Sequence, residues 1–382
     1  MTPASPLPCQ RDLFDIPAEV AYLNCSYLAP QLRSVSDAGR EAVGRKAAPW
    51  AITAADFFEG TEALRARVAR LTGGDADGVA IIPSVSYGAG IAAANLKLGV
   101  GQEVLVLEDE FPSNRYPWGP AAAAAGARIV TVPRPADHDW TAALLERIGE
   151  ATGVVAVPNC HWTDGGLVDL VRVGEAARAG GAALVVDVSQ SLGARPVDVA
   201  AVQPDLLVSV GYKWLLGPYA LGYCWIAPQH RGGLPLEQTW LGRKGSEDFT
   251  SLVGYTDEHR PGARRFDVGE ASNFVLVPMA LAALDQVLAW GVEAIAATIA
   301  PLVARIAADA EALGIPVAPA HLRAAHVLGL RLPARAGPGI AEALAAERVH
   351  VSVRGDSLRI SPNVYNTAED LDRLRDVLAA HL

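Results

Sequence analysis

Hydrophobic and polar positions are patterned in two ways along this chain, and the change between them marks out its elements. Short apolar runs recur at 79–82, 103–107, 128–132, 153–158, 183–187 and 206–210, rich in Val, Ile and Leu and bounded by turn residues. Runs that are apolar at nearly every position suit strands covered on both faces, as in a parallel sheet. Between them the period lengthens. Residues 56–71 set Ala63, Leu64, Val68 and Leu71 on one helical face and stop at Gly73-Gly74, a helix-ending signal. Helices are likewise predicted over 34–48, 116–125 and 170–179, and a turn running into a helix over 84–95. Strand and helix in alternation predict an α/β fold, with a mostly parallel sheet clothed by helices on both faces. Ligands of such sheets bind at the carboxyl ends of the strands.

After a last apolar run at 222–226 the pattern breaks. Residues 228–272 are rich in Gly, Arg and Glu and read as a long loop excursion, which in a compact protein is usually functional. Long helices follow at 277–290 and 292–313, stopped by Gly291 and Gly314. From Pro316 onward the order is strand, helix (339–348), strand and final helix (367–380), a smaller α+β unit. The expected organisation is an N-terminal segment, 1–45, packing on the small domain, a large domain, 46–280, and a small C-terminal domain, 281–382.

Composition narrows the function. The chain has 382 residues, 51% hydrophobic and 19% charged, enough to bury a large core. A net charge of −10 argues against nucleic acid or an anionic membrane as partner. No apolar run reaches membrane-spanning length, since the best, 274–284, meets Asp285. The first residues show no export signal. The cysteines, Cys9, Cys25, Cys160 and Cys224, lack metal-ligand spacing. A reduced, cytoplasmic protein without disulfides or structural metal is expected.

The chemistry concentrates in residues 184–218. One apolar run ends in Asp187, Val188, Ser189 and Gln190; the next delivers Gly211, Tyr212, Lys213 and Trp214. A carboxylate and an amine at the ends of central strands are costly to bury without a partner. They ask for a ligand between them, and pyridoxal 5'-phosphate fits. Lys213 would hold it as a Schiff base and Asp187 would sit on its pyridine nitrogen. A lone strand-end carboxylate could instead bind magnesium or cap a helix, but Val188-Ser189-Gln190 adds no further acid.

VVDVSQSLGARPVDV followed by PDLLVSVGYKWLLGPYALG resembles the class V aminotransferase family, which includes cysteine desulfurases, kynureninase and isopenicillin N epimerase-like proteins. The interval from aspartate to lysine, 213 − 187 = 26 residues, agrees with that pattern. The resemblance implies the fold-type-I architecture of pyridoxal-phosphate enzymes and a homodimer with a shared active site. It assigns the cofactor phosphate to Ser86 and the amides of Val85 and Tyr87, ring stacking to Phe111, a contact to the ring phenolate to Gln190 and a phosphate contact to Tyr212. Arg359, in a stretch that resembles the family's C-terminal signature, would fork onto the substrate α-carboxylate, with Arg354 nearby and Asn159 assisting. An internal salt bridge to the acids of the last helix is the alternative for Arg359. His161 would act as a general acid or base, or only hydrogen-bond within the site. A partner-subunit loop would correspond to 265–273, where Glu270 replaces the usual threonine and Ser272 or Asn273 could substitute. Residues 349–358 carry no cysteine, so the persulfide route of desulfurases is not expected. The expected activity is that of an aminotransferase or a C–S or β-lyase acting on an amino acid. An epimerase and a non-catalytic cofactor-binding protein are the alternatives.

Overall fold

The protein is described by a computed structural model covering residues 4–332 and 339–382. A two-residue strand, β1 (Ala21–Tyr22), comes first and joins the C-terminal lobe. The central sheet is built from β2 (Val79–Ile82), β3 (Glu103–Leu107), β4 (Arg128–Val132), β5 (Thr152–Pro158), β6 (Ala183–Asp187), β7 (Leu206–Val210) and β8 (Gly222–Ile226). Their spatial order is β2-β8-β7-β6-β5-β3-β4. β8 runs antiparallel to both its neighbours, and the other pairs are parallel.

The unbroken apolar runs are explained by two hydrophobic layers. Within β3, Leu105 and Leu107 enter one core while Val104 and Val106 enter the other. Alternate side chains point to opposite faces, so a strand covered on both sides must be apolar throughout. Each such side chain is worth about 1.5–3 kcal/mol when buried. Only β4, at the sheet's edge, shows polar and exposed positions.

Two local readings change. The helix expected over 116–125 is two, Pro112–Arg115 and Trp118–Ala125, because Pro117 has no N–H to continue the ladder. A helix at Trp140–Arg147, absent from the sequence reading, is capped by Asp139, whose Oδ1 accepts from Ala142 N at 2.9 Å.

Residues 228–272 form turns of 3-10 helix and no strand. The excursion is anchored where Asp267 accepts from Ile81 N at 2.8 Å and pairs with the buried Arg65. In the C-terminal lobe, β9 (Leu328–Arg331), β10 (Val349–His350), β11 (Ser352–Arg354) and β12 (Ser357–Ile360) make two small sheets. One is antiparallel, in the order β11-β12-β9, and in the other β1 pairs with β10. Beyond β1 the chain stays on this lobe, with Ser361 N donating to Leu23 O at 2.8 Å and Ser26 N to Ser361 Oγ at 2.9 Å. Among the described residues no single helix is long and apolar enough to cross a membrane. The helices Leu276–Trp290 and Val292–Ala312 meet at 76°.

Candidate active site

β6 and β7 are adjacent and parallel, with Asp187 level with Val208 on one side and Pro158 of β5 on the other. Lys213 follows the end of β7 in a tight turn. Gly211 is required there, because a Cβ would lie 2.7 Å from Leu221 O. Leu216 and Ala220, at φ 56° and 63°, hold left-handed conformations that cost a non-glycine residue energy. The turn places Lys213 above the carboxyl ends of the strands, facing Asp187.

A cavity of about 300 Å³ opens between them. Its floor and walls include Ser84, Val85, Ser86, Glu110, Phe111, Asp187, Gln190 and Tyr212. Phe111, Trp162, Tyr212, Lys213 and Tyr219 also line a second cavity of about 450 Å³, which carries Tyr27, Arg354 and Arg359. The two form one cleft from the sheet to the C-terminal lobe.

Lys213 is 7% exposed, and its amine has no hydrogen-bond or ion-pair partner among the described residues. Its Nζ lies 5.4 Å from the Phe111 ring centroid and 5.9 Å from that of Tyr212. Burial, helped by the Arg359 charge, pulls its pKa down to about 8, with Asp187 opposing. Burial raises the Asp187 pKa, against the pull of Ser189 and Lys213. Ser189 N donates to Asp187 Oδ1 at 2.8 Å. Burial thus works against the charged form of both groups.

The stretch expected to cradle a phosphate, 85–87, has some of its amides free. Ser84 caps the helix Val85–Asn95, which packs so closely that a Cβ on Gly88 would lie 2.5 Å from Val208 Cγ1. The amides of Val85 and Ser86 find no acceptor among the described residues, and the N-terminus of this helix suits an anion. The Tyr87 amide is already engaged by Ser84 Oγ at 3.2 Å, and the Tyr87 ring packs against the core. The Ser86 hydroxyl lies 2.9 Å from that of Ser84. Gln190 donates from its amide to Ser26 O at 3.2 Å and still lines the cavity.

At the other end Arg359 is 1% exposed and donates to Trp162 O at 2.6 Å, while its Nε has no partner. Burial and the neighbouring Arg354 lower its pKa to about 9, which leaves it charged at neutral pH. The salt-bridge alternative is not what the structure shows. Asp370 pairs with Arg11 and Asp372 with Arg305, so neither of these last-helix acids reaches Arg359.

Two expected site residues do not reach the cleft. His161 is fully buried behind it, stacked on Trp140 at 5.2 Å, with ring nitrogens 2.8 Å from Thr163 Oγ1 and 2.9 Å from Glu108 O. Asn159 accepts from Ser191 Oγ at 2.5 Å, away from the cavity. Trp162, three residues beyond Asn159, takes the place at the wall, and its ring meets Phe111 edge-on at 5.4 Å. Nothing in the local pattern marks Trp162 over Asn159, since both follow β5. Glu110, an acid just past the end of β3 and so at the binding edge of the sheet, also lines the cavity. Glu110 is fully enclosed; burial, with Asp187 nearby, pushes its pKa up to about 8. Its Oε1 accepts from Phe111 N at 2.9 Å, and its Oε2 is unpartnered.

A family model for class-V aminotransferases matches residues 51–374. The chain belongs to the class-V aminotransferase family. Pyridoxal 5'-phosphate is the cofactor of that family, and a buried unpaired lysine, a facing aspartate and free helix-start amides fit it. Among curated class-V relatives, an uncharacterized aminotransferase of Bacillus subtilis (strain 168), YcbU, is 28% identical over 345 residues, covering 85% of each chain. An isopenicillin N epimerase of Streptomyces clavuligerus is 26% identical over 330 residues, covering 83% of each. Among solved structures, a C-DES mutant with glycine covalently linked to its PLP cofactor superposes at a TM-score of 0.88 and 21% identity. That match covers 98% of this chain and all of the other, and it establishes the shared fold.

Proposed function

We propose that this class-V enzyme acts at Cα or the β-carbon of an amino acid, as an aminotransferase or a C–S or β-lyase. The observation that carries the reading is the desolvated, unpaired amine of Lys213, set between Asp187 and the Phe111 ring in a cleft that ends at Arg359. When bound, pyridoxal phosphate supplies an electron sink for charge that develops at Cα. This chain's residues do the rest. Lys213 Nζ would be the amine that holds the cofactor at its aldehyde carbon. Freed from the cofactor, and with burial drawing its pKa down to about 8, the same amine would serve as the base for the Cα proton. Asp187 would hold the proton on the pyridine nitrogen, Phe111 would pack on the cofactor ring, and Gln190 would donate to its phenolate oxygen. Val85, Ser86 and Tyr212 would hold the phosphate, and Arg359 would clamp the α-carboxylate. A homodimer sharing the site is part of the proposal.

Desulfurase chemistry by a loop persulfide is set aside. Residues 349–358 contain no cysteine, and buried Cys160, at the cavity wall, has its thiol pKa raised to about 12 by burial. The test is a product panel with purified holoenzyme and candidate amino acids. Transfer of nitrogen to a keto acid, or release of ammonia and a keto acid, supports the reading. Formation of only the opposite enantiomer would replace it with epimerisation.

A further inference from the structure

The Arg359 end of the cleft holds more positive charge than one α-carboxylate requires. In the β11–β12 pairing, Ser352 lies opposite Arg359 and Arg354 opposite Ser357. Directly opposed residues share a face, and so do residues two apart on one strand. Arg354 and Arg359 are therefore diagonal neighbours on one face, and both line the cavity that holds Lys213. Val353, between them in register, points the other way and is exposed.

Neither guanidinium has a carboxylate partner among the described residues. Arg354 instead lies over two rings, 5.7 Å from the Tyr27 centroid and 6.0 Å from that of Trp162. Such contacts fix a guanidinium in place without neutralising it. Its one hydrogen bond, from Nη1 to Val353 O at 2.8 Å, leaves most of its donors free. The cleft's acids, Asp187 and Glu110, line only the deep cavity, at the far end from Arg354. Arg354 also disfavours the charge of Arg359, and both arginines disfavour that of Lys213. Like charges held together in a partly buried pocket call for an anion.

We propose that the substrate's side chain ends in a second anionic group, a carboxylate or a comparable oxyanion, which Arg354 receives while Arg359 holds the α-carboxylate. The inference rests on the function proposed above and sharpens its substrate to a dianionic amino acid. The aromatic walls then position Arg354 and exclude water, and they do not read an apolar side chain.

The experiment is calorimetric titration of the holoenzyme with succinate, butyrate and 3-phenylpropionate, none of which has an amine to react. Succinate binding at least tenfold tighter than butyrate is expected. In Arg354→Met that advantage disappears while butyrate affinity stays within twofold, and Arg354→Lys keeps part of it. Equal binding of succinate and butyrate overturns the proposal, as does 3-phenylpropionate binding tighter than succinate, or a succinate advantage that persists in Arg354→Met. The same titration on protein without cofactor separates the two readings. A succinate preference in protein that never takes up pyridoxal phosphate would refute the proposed function and keep the two-arginine site.

Discussion

The two ends of the cleft are built differently. At the sheet end, Asp187 stands on a strand buried on both faces, and its position is fixed by neighbours in register and by the Ser189 amide. Lys213 follows in a turn that tolerates little change at Gly211. At the lobe end, Arg354 and Arg359 stand on a short antiparallel hairpin, held by two carbonyls and two rings and with no carboxylate partner among the described residues. The first end is rigid and short of charge, which suits a cofactor that stays. The second is charged and open to an adjoining cavity, which suits a substrate that comes and goes. On the function proposed above, the sheet end would hold the cofactor, Arg359 the α-carboxylate, and Arg354 would select the substrate's side chain.

Substitutions at each end should separate these roles. Lys213→Ala should cut turnover about 10³-fold or more, measured under saturating cofactor, since it removes both the attachment point and the base. Asp187→Asn should lower kcat by about 10²-fold with little change in KM, because the electron sink loses its counter-charge. Unchanged turnover would remove Asp187 from that role. At the lobe end, Arg359→Gln should raise KM and lower kcat/KM by about 30-fold or more, as expected for about 2 kcal/mol lost from a buried charge contact. A KM effect from Asp187 and a kcat effect from Arg359 would reverse the comparison.

The pH behaviour sharpens it further. Lys213 in the folded protein sits at about 8, below its usual 10.5, so the folded state gives up this proton first. Between those values the unfolded chain binds the extra proton, and the stability contributed by neutral Lys213 rises with pH and is absent below about 8. For the same reason, cofactor uptake by stripped protein should quicken about tenfold per pH unit below pH 8 and level off above it. Stopped-flow absorbance measures this directly, and a profile still climbing towards 10.5 would show an ordinary, solvated lysine. The smallest effect is expected from Ser86→Ala, a two- to tenfold weaker hold on the cofactor, worth about 0.5–1.5 kcal/mol for one hydrogen bond.

What could be read from the chain follows the same division. β2, β3, β6 and β7 are legible to the residue, because strands covered on both faces leave an unbroken apolar signature, and the bounds of the edge strand β4 are legible as well. The arginine end was legible only in part. Arg359 stood out as a charge within an apolar strand, but the diagonal placing of Arg354 depends on hairpin register, which no local pattern reveals. Trp162 and Glu110 went unread for a related reason. Each follows a strand closely, yet which residue past a strand end turns inward depends on the turn, and that is set by contacts distant in sequence. The helix Trp140–Arg147 carried a usable signal in its Asp139 cap.

The central claim is that Lys213 is the amine that holds the cofactor. Borohydride reduction of the holoenzyme, followed by peptide mass spectrometry, tests it most directly. The account predicts that the pyridoxyl mass is carried by the peptide containing Lys213 alone, and that Lys213→Ala carries none. A pyridoxyl mass on another lysine, or a Lys213→Ala protein labelled as fully as the parent, would contradict it.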